Sequence, residues 1–395
     1  MNRTASTSPH TIPSNRIINQ DCLSGMRSLP DSGIDMVVTS PPYWRLRDYG
    51  PDTKSVWGGD PSCTHEWVNE RAGKTTVQGF DDGSQSRVCA NCGAWYGQLG
   101  LEADIQAYSA HLIEIFDEVY RVLKPTGSCW VNIGDSYFSA KGSCRNPGGN
   151  IGSIESRRKG KHVYPLHRGN RSDNPLIKPK SLTLIPFHFC IAMQAHGWML
   201  RNTIIWHKQS CMPSSVKDRF TVDFEYLFFF VKQRTYHFEQ QFEPYRSTPH
   251  GAHPIGGIKY PGAVPNRTYS GNAYTRPQGS QAHGRNKRTV WTINPKPFPD
   301  VHFAVFPDTL IETPIRAGCP EDGIVLDPFM GSGTTALAAV KLNRRYLGFE
   351  IKDEYCEMAE KRIQERRARN QSSVKAESSS IPVEMSCLAS SNEGV

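Results

Sequence analysis

The stretch GIDMVVTSPPYW, residues 33–44, decides how the rest of the chain is arranged. Its first half is a largely apolar run, which is typical of a parallel strand buried on both faces. Pro41 and Pro42 cannot donate hydrogen bonds to a neighbouring strand, so we expect the strand to end at Thr39. The chain then turns a rigid corner and presents Tyr43 directly after a central strand.

On both sides of this stretch, apolar segments of strand length alternate with segments of helical periodicity. The predicted strands begin at Ile17 and lie over residues 34–39, 128–137, 199–208 and 225–233. The predicted helices pass through Met26 and Leu29, cover residues 102–123, and follow the proline of residues 181–198. Residues 323–351 have the pattern of a strand, a Gly-rich turn, a helix and a strand. This alternation predicts an α/β fold with a doubly wound, mostly parallel sheet.

The composition limits the class of protein and its partners. Of the 395 residues, 37% are hydrophobic, which suffices for a globular core, and the net charge of +8 favours an anionic partner. The eleven cysteines are an odd number. The sequence shows neither a signal peptide nor an apolar run near the roughly 18 residues of a membrane span. We therefore expect a cytoplasmic, reduced protein whose cysteines are thiols or metal ligands.

A Gly-rich corner, VLDPFMGSGTT, occupies residues 325–335. Glycines let the backbone turn tightly and approach a ligand, and the N-terminus of the following helix offers N–H groups. Glu350 follows Gly331 by 19 residues, at the end of the next predicted strand, where a carboxylate can bind ribose hydroxyls. No lysine follows the second glycine, so the motif is not a P-loop. The pattern indicates a nucleoside-like ligand, the alternative being a purely structural turn.

Together the two corners carry a specific resemblance. DPFMGSGTT resembles the cofactor loop of S-adenosylmethionine-dependent DNA amino-methyltransferases, and TSPPYW resembles their catalytic motif. The catalytic motif comes first, as in the beta class of that family. The resemblance covers most of residues 16–365. It implies a circularly permuted Rossmann-like methyltransferase fold, encoded by a bacterium or a phage.

The resemblance assigns cofactor contacts residue by residue. Asp327 would hold the methionine end of the cofactor, Glu350 the ribose, and Asp21 would face the adenine. Phe303 lies in a block that resembles the motif closing over the cofactor. The full set of predicted cofactor-binding residues is Asp21, Phe303, Asp327, Pro328, Phe329, Gly331, Ser332, Gly333, Thr334 and Glu350.

The catalytic corner suits the chemistry of an exocyclic amine. The lone pair of such an amine is delocalised into the base, so acceptors on its two N–H groups favour the pyramidal geometry needed for attack. The Ser40 hydroxyl and the Pro41 carbonyl can be these acceptors, and the two prolines fix the direction of the carbonyl. Tyr43 offers a flat face to a base flipped out of the duplex. The predicted catalytic residues are Ser40, Pro41, Pro42 and Tyr43.

The target base has more than one candidate. Family members with serine in the first position of the motif mostly resemble N4-cytosine enzymes, which favours the N4 amine of cytosine over the N6 amine of adenine. Methylation of cytosine C5 is not expected, because the chain has no Pro-Cys dipeptide. An RNA methyltransferase and a zinc-containing DNA-binding protein without catalysis are the alternatives from other classes.

A cluster of metal-ligating residues lies between the first corner and the helix over 102–123. Cys63 and His65 form a C-x-H pair, and Cys89 and Cys92 form a C-x₂-C pair. Three thiolates and an imidazole are a known ligand set for structural Zn²⁺. We therefore predict an inserted zinc-binding loop over residues 58–98, the alternative being unrelated surface thiols.

Two basic segments complete the predicted organisation. Residues 141–173 carry a net charge of +6, and residues 244–290 carry +7 with interleaved tyrosines. Such segments suit phosphate contacts and base stacking, unless they are solvated linkers. The predicted domains are a disordered N-terminus (1–14), a catalytic domain (15–365), target-recognition insertions (140–178 and 240–298) and a disordered tail (366–395). The expected partner is double-stranded DNA, and the enzyme would either be paired with a cognate restriction endonuclease or act as a solitary modifier.

Overall fold

The computed structural model describes residues 12–69, 86–138, 177–244, 285–295 and 306–379. Within these ranges the helices are α1 (Cys22–Arg27), α2 (Ile105–Val122), α3 (Ile185–Ala195), α4 (Asp308–Gly318), α5 (Thr334–Lys341) and α6 (Asp353–Ser379). The strands are β1 (Arg16–Asn19), β2 (Ile34–Thr39), β3 (Lys54–Trp57), β4 (Trp67–Asn69), β5 (Arg87–Cys89), β6 (Trp95–Gln98), β7 (Leu123–Ile133), β8 (Met199–His207), β9 (Phe224–Val231), β10 (Phe242–Glu243), β11 (Arg285–Asn286), β12 (Val290–Thr292), β13 (Ile324–Asp327) and β14 (Arg345–Glu350).

Eight strands form one large sheet in the order β1-β14-β13-β2-β7-β9-β8-β12. Strand β9 runs antiparallel to both of its neighbours, and every other neighbouring pair is parallel. The predicted mostly parallel sheet is confirmed. Strand β13, from the C-terminal part of the chain, lies beside β2, from the N-terminal part. The two corners found in the sequence therefore meet at neighbouring strands, as the permuted order requires.

The sheet is covered on both faces, because the side chains of each strand alternate between two cores. On β2, Val37 packs in one core with residues of α1, α2 and α3. Val38 packs in the other core with residues of α4, α5 and α6. All six residues of β2 are buried. This burial explains why its sequence is largely apolar rather than alternating.

A second sheet, of four short antiparallel strands in the order β3-β6-β5-β4, lies in the chain between β2 and α2. Strands β3 and β6 pair through Lys54–Trp57 and Trp95–Gln98. We call β3 to β6 the small sheet. It contains the described part of the predicted 58–98 insertion and begins four residues before it.

The elements depart from the sequence prediction at several ends. Strand β7 begins at Leu123, directly after α2, five residues before the predicted start at residue 128. Helix α4 was not predicted, since Pro307 and Pro314 obscure its periodicity. Helix α6 continues to Ser379, past residue 366 where the sequence predicts a disordered tail. Residues 366–379 include three arginines and two alanines, which are strong helix formers.

No helix in the described ranges combines the length and apolar character that a membrane crossing requires.

Candidate active site

The two corners open into one cavity of about 420 Å³. Strands β2 and β13 are parallel neighbours, with Val325 opposite Met36 and Leu326 opposite Val37. The segments that follow these two strands therefore lie at the same edge of the sheet. In open α/β sheets this carboxyl edge is where ligands bind. The predicted residues that line the cavity are Asp21, Ser40, Pro41, Pro42, Tyr43, Pro328, Phe329, Gly331 and Glu350.

Asp327 lies behind the cavity wall rather than in it. The carboxylate is 1% exposed and accepts hydrogen bonds from the hydroxyls of Thr39 and Thr335, both at 2.5 Å. The Phe329 N–H donates to it as well, at 3.0 Å. Burial raises the pKa of Asp327 to about 6, although these hydrogen bonds act in the opposite direction. Because Thr39 immediately precedes Ser40, Asp327 ties the catalytic corner to the Gly-rich corner and to the start of α5.

The Gly-rich turn needs glycine for conformational and steric reasons. Gly331 and Gly333 have φ of 52° and 81°, in the left-handed region that favours glycine. A Cβ on Gly333 would lie 2.7 Å from the Cβ of Ala359 on α6. Ser332, Gly333 and Thr334 therefore form the structural side of the turn, and they do not line the cavity.

Glu350 lies at the end of β14, and its carboxylate is held by the backbone. Its two oxygens accept the Gly331 N–H at 2.8 Å and the Lys352 N–H at 2.9 Å. Burial raises the pKa of Glu350, and these N–H groups oppose the rise. A carboxylate oxygen has two lone pairs, so each oxygen can still accept a hydroxyl from a ligand. Glu350 is thus preorganised as an acceptor in the cavity wall.

Asp21 lies close to Glu350, because it follows β1, whose last residue pairs with Glu350, and it is the N-cap of α1. It accepts the Ser24 N–H at 2.9 Å and the Ser55 hydroxyl at 3.2 Å. Ser55 belongs to β3, so the small sheet contacts this predicted cofactor residue directly.

A polar network that the sequence analysis missed surrounds Tyr43. The Tyr43 hydroxyl donates to Glu225 at 2.7 Å, and the Asn132 amide donates to the same carboxylate at 3.2 Å. Lys208 forms an ion pair with the other oxygen of Glu225. Burial and the Glu225 carboxylate hold the pKa of Tyr43 well above its usual value, so Tyr43 is a neutral donor. The members of this network all line the cavity.

The proline corner is held from behind by two aromatic side chains. The hydroxyl of Tyr108, on α2, donates to the Pro42 carbonyl at 2.7 Å. The indole N–H of Trp44 donates to the Glu102 carbonyl at 3.1 Å, and Trp44 is 1% exposed. Trp44 is therefore part of the core, whereas Tyr43 points its ring at the cavity region.

The four predicted metal ligands come together in the small sheet. The sulfurs of Cys63 and Cys89 are 3.9 Å apart, and the sulfur of Cys92 is 3.4 Å from Nδ1 of His65. All four ligand atoms lie within 4.8 Å of one another. Tetrahedral ligands about 2.0–2.3 Å from a zinc ion lie roughly 3.3–3.8 Å apart. The donor set suits Zn²⁺, and the 3.4 and 3.9 Å separations lie near this range.

Some predicted residues lie outside the described part of the chain. Phe303 is one of them, as is most of each predicted target-recognition insertion. In the described part of the second insertion, Arg285 and Arg288 both form ion pairs with Glu243, at 2.8 and 2.6 Å. The charge of these two arginines is thus partly neutralised within the protein.

Comparison with known proteins places the chain in a family. Residues 34–361 match the N6/N4 methyltransferase family model, described as DNA methylase. The chain is 32% identical over 355 residues to the Type II methyltransferase M.SmaI of Serratia marcescens, covering 89% of this chain and 91% of the relative. It is 33% identical over 345 residues to the Type II methyltransferase M.Cfr9I of Citrobacter freundii, covering 87% of this chain and 86% of the relative.

Among solved structures, the chain is similar to a PvuII DNA methyltransferase described as cytosine-N4-specific. That match has 18% identity and a TM-score of 0.49, and it covers 89% of this chain and 91% of the other.

The fold and the shared cavity define an α/β enzyme with a site for a nucleoside-like ligand beside a catalytic corner. On the sequence matches, the chain belongs to the N6/N4 DNA methylase family and is an S-adenosylmethionine-dependent DNA methyltransferase.

Proposed function

We propose that the chain transfers a methyl group from S-adenosylmethionine to the exocyclic N4 amine of a cytosine flipped out of double-stranded DNA. The observation that carries the proposal is the cavity shared by the two corners, with Ser40 and Pro41 on one side and Phe329 and Gly331 on the other. Direct transfer requires donor and acceptor to be held in contact and aligned. A shared cavity provides this alignment.

The residues around the donor fit S-adenosylmethionine. The cavity volume of about 420 Å³ is in the range of small-molecule sites. Glu350 and Asp21 offer carboxylates to hydroxyl and amine groups, and Phe329 offers an apolar surface between them. Asp327 acts on the cofactor through the turn it orders rather than by direct contact. When bound, S-adenosylmethionine supplies an electrophilic methyl group on a positively charged sulfur.

The residues of the catalytic corner act on the acceptor amine. The Ser40 hydroxyl and the Pro41 carbonyl accept its two N–H groups, which directs the lone pair away from the ring and stabilises the positive charge that develops. Tyr108 anchors the neighbouring Pro42 carbonyl, so the corner is rigid before the base arrives. Tyr43 packs against the flipped base. A methylated aminium loses its proton readily, so the corner needs no strongly basic group.

Cytosine N4 is favoured because serine occupies the first position of the catalytic motif. The test is to methylate duplex DNA with the purified protein, digest it to nucleosides and identify the product by mass. N4-methylcytosine is the expected product. Formation of N6-methyladenine alone would show that the target base is adenine, with the mechanism unchanged. Preferential methylation of RNA in a competition with duplex DNA would show that the substrate is RNA. Cofactor binding without any product would support the non-catalytic DNA-binding alternative.

The basic segments 141–173 and 244–290 are proposed to contact the phosphates of the DNA. Neutralising several of their lysines and arginines should weaken DNA binding and reduce its salt dependence, without changing cofactor binding. An unchanged salt slope would identify the segments as linkers. Since two relatives are named Type II methyltransferases, we also propose a restriction endonuclease that shares the recognition site.

A structural zinc ion is proposed at Cys63, His65, Cys89 and Cys92. Four protein ligands close a tetrahedral site, and a closed site holds structure rather than activating water. Protein purified without added metal should contain about one equivalent of zinc. A content near zero, with all four side chains freely reactive to thiol and imidazole reagents, would contradict this proposal.

A further inference from the structure

The small sheet extends from the metal-ligand cluster to the wall of the active-site cavity. Cys92 lies in the turn before β6, and Gln98 is the last residue of β6. Six residues of extended chain span at most about 20 Å. The four ligand atoms therefore lie at one end of a short strand, and a side chain in the cavity wall lies at the other.

Gln98 organises the chain that follows the catalytic corner. Its side-chain oxygen accepts the Tyr49 N–H at 2.7 Å and the Thr53 hydroxyl at 3.0 Å. Its side-chain amide donates to the Arg47 carbonyl at 2.9 Å. Gln98 is 4% exposed, and the loss of these bonds would deprive two half-buried backbone groups and the buried Thr53 hydroxyl of this partner. One glutamine thus fixes three points of a loop whose residues line the cavity.

The same wall contacts the predicted cofactor residues from two directions. Ser55 of β3 donates to the Asp21 carboxylate at 3.2 Å. Lys352, two residues after Glu350, donates to the Tyr49 carbonyl at 3.1 Å. This part of the cavity wall therefore contacts Asp21, which is proposed to face the adenine, and the segment after Glu350, which is proposed to bind the ribose.

The small sheet is packed onto the catalytic domain through Trp57 and Trp95, which lie in the core that contains α1, α2 and α3. His111 of α2 stacks between Trp57 and Trp95, with ring centroids 5.3 and 5.2 Å apart. Its Nδ1 lies 3.0 Å from the buried carboxylate of Glu102. Trp57 is on β3 and Trp95 is on β6, so both wall strands are held at this point.

The end of the small sheet that carries the metal ligands is built from its shortest strands. Strands β4 and β5 have three residues each, and antiparallel strands this short are marginal in water. A metal ion that joins Cys63 and His65 to Cys89 and Cys92 would connect β4 to β5 and to the turn before β6. Metal-binding free energy in such sites is folding free energy.

We infer that the zinc ion is a positioning element for the cofactor site: its binding orders β6, and Gln98 transmits that order to the cavity wall that holds S-adenosylmethionine. The inference rests on the proposed zinc site and on the proposed cofactor residues. It adds a thermodynamic coupling between two ligands whose sites do not touch, and such coupling must be reciprocal.

The first experiment measures cofactor affinity with and without zinc. The probe is S-adenosylmethionine in isothermal titration calorimetry without DNA, and metal content is measured on the same samples. Wild-type protein after chelation, and the double variant Cys89→Ser/Cys92→Ser, should bind the cofactor at least about tenfold more weakly. Restoring zinc should restore the affinity of the chelated wild type only. Asn91→Ala, in the same turn, should keep both zinc and affinity.

The second experiment separates the metal from its transmitting side chain. Gln98→Met keeps the volume of the side chain and removes its hydrogen bonds. It should retain one zinc and bind the cofactor about tenfold more weakly. Gln194→Met, at an exposed position on α3, is the matched control and should change neither quantity.

The outcomes separate the inference from the proposals beneath it. Protein without zinc would disprove the metal site, and zinc-loaded protein without cofactor binding would disprove the cofactor site. Loss of zinc with unchanged cofactor affinity would overturn the coupling, and wild-type affinity in Gln98→Met would overturn the role of Gln98. If the double variant does not fold, chelated wild type and Gln98→Met decide the question.

Discussion

The carboxyl edge of the large sheet and the small sheet both contribute to one cavity, but they are stabilised by different means. The edge rests on strands such as β2, which is buried on both faces and lies between two cores. The small sheet has strands of three or four residues and a cluster of four metal-ligating side chains. The first region is preorganised by its own packing, whereas the second packs through Trp57 and Trp95 and, on our proposal, also needs a bound metal ion at its other end.

This difference distinguishes the residues proposed for methyl transfer from those proposed to position the cofactor. Polar groups at the edge, including Asp327 and Glu225, are oriented by hydrogen bonds within a packed core. Those of the small sheet are oriented through Gln98 and Ser55, on a region of short strands. Changes at the edge should therefore alter turnover or global stability, and changes in the small sheet should act locally and on cofactor binding.

The largest effect is expected for Ser40→Ala, because it removes one acceptor of the target amine. The rate of methyl transfer should fall by about 10²–10³, as for the loss of one preorganised polar partner of a transition state. The affinity for S-adenosylmethionine should hardly change, since Glu350 is untouched. Single-turnover kinetics with labelled cofactor measure the rate, and Ser215→Ala, at an exposed position, is the control. Full activity of Ser40→Ala would refute the proposed mechanism.

The next effect concerns the pH dependence of stability through Asp327. Its pKa is raised to about 6 in the folded chain, so the folded state binds the proton more tightly than the unfolded state. Stability therefore falls as pH rises from about 4 to 6. Relative to Asp327→Asn, which cannot titrate, wild-type protein should lose about 2 kcal/mol of unfolding free energy between pH 4 and 7.

Urea unfolding of both proteins at several pH values measures this difference. Asp52→Asn, at an exposed position, serves as the control for removing a surface carboxylate. A difference between wild type and Asp327→Asn that stays constant with pH would show that burial does not perturb this carboxyl.

A smaller effect is expected from removing the hydroxyl of Tyr43. This hydroxyl links the ring that is proposed to pack against the flipped base to Glu225. Tyr43→Phe keeps the ring and removes the 2.7 Å hydrogen bond, so turnover should fall by about tenfold. Tyr43→Ala removes the platform as well and should weaken capture of the flipped base. The fluorescence of 2-aminopurine at the target position reports the flipping step. Equal behaviour of Tyr43→Phe and wild type would mean that Glu225 does not position the ring.

The smallest effect on global stability is expected from chelation of the metal. Amide hydrogen exchange should become faster in residues 54–69 and 86–98, with little change in the strands of the large sheet. Mass spectrometry of peptides from both regions measures this directly. Equal loss of protection in β2 and β7 would show that the two sheets unfold as one unit and that the small sheet is not stabilised separately.

Local patterns in the sequence were sufficient for much of the fold. The apolar run before Thr39, the prolines after it and the glycines at 331 and 333 each have a conformational consequence that depends on near neighbours alone. The same holds for the paired spacing of the cysteines and His65. The mostly parallel sheet follows from the alternation of such patterns, and the structure confirms it.

Those local patterns could not predict which polar residues form hydrogen bonds with each other. Tyr43 and Glu225 are separated by 182 residues, and Thr39 and Asp327 by 288. Glu225 precedes an apolar run, but a strand pattern does not indicate strand direction, and only the antiparallel course of β9 brings its first residues to the catalytic edge. Gln98 carried no motif at all.

The sequence by itself determined which residues can turn, cap, ligate and accept hydrogen bonds, because those capacities depend on the side chain and its immediate neighbours. The tertiary structure decided which of them meet. It made Asp327 a buried link between the two corners, and it joined the small sheet to the cavity through Gln98. The physical reason is that hydrogen bonds between distant residues form only where packing of the two cores brings the strands together, and no local pattern encodes that arrangement.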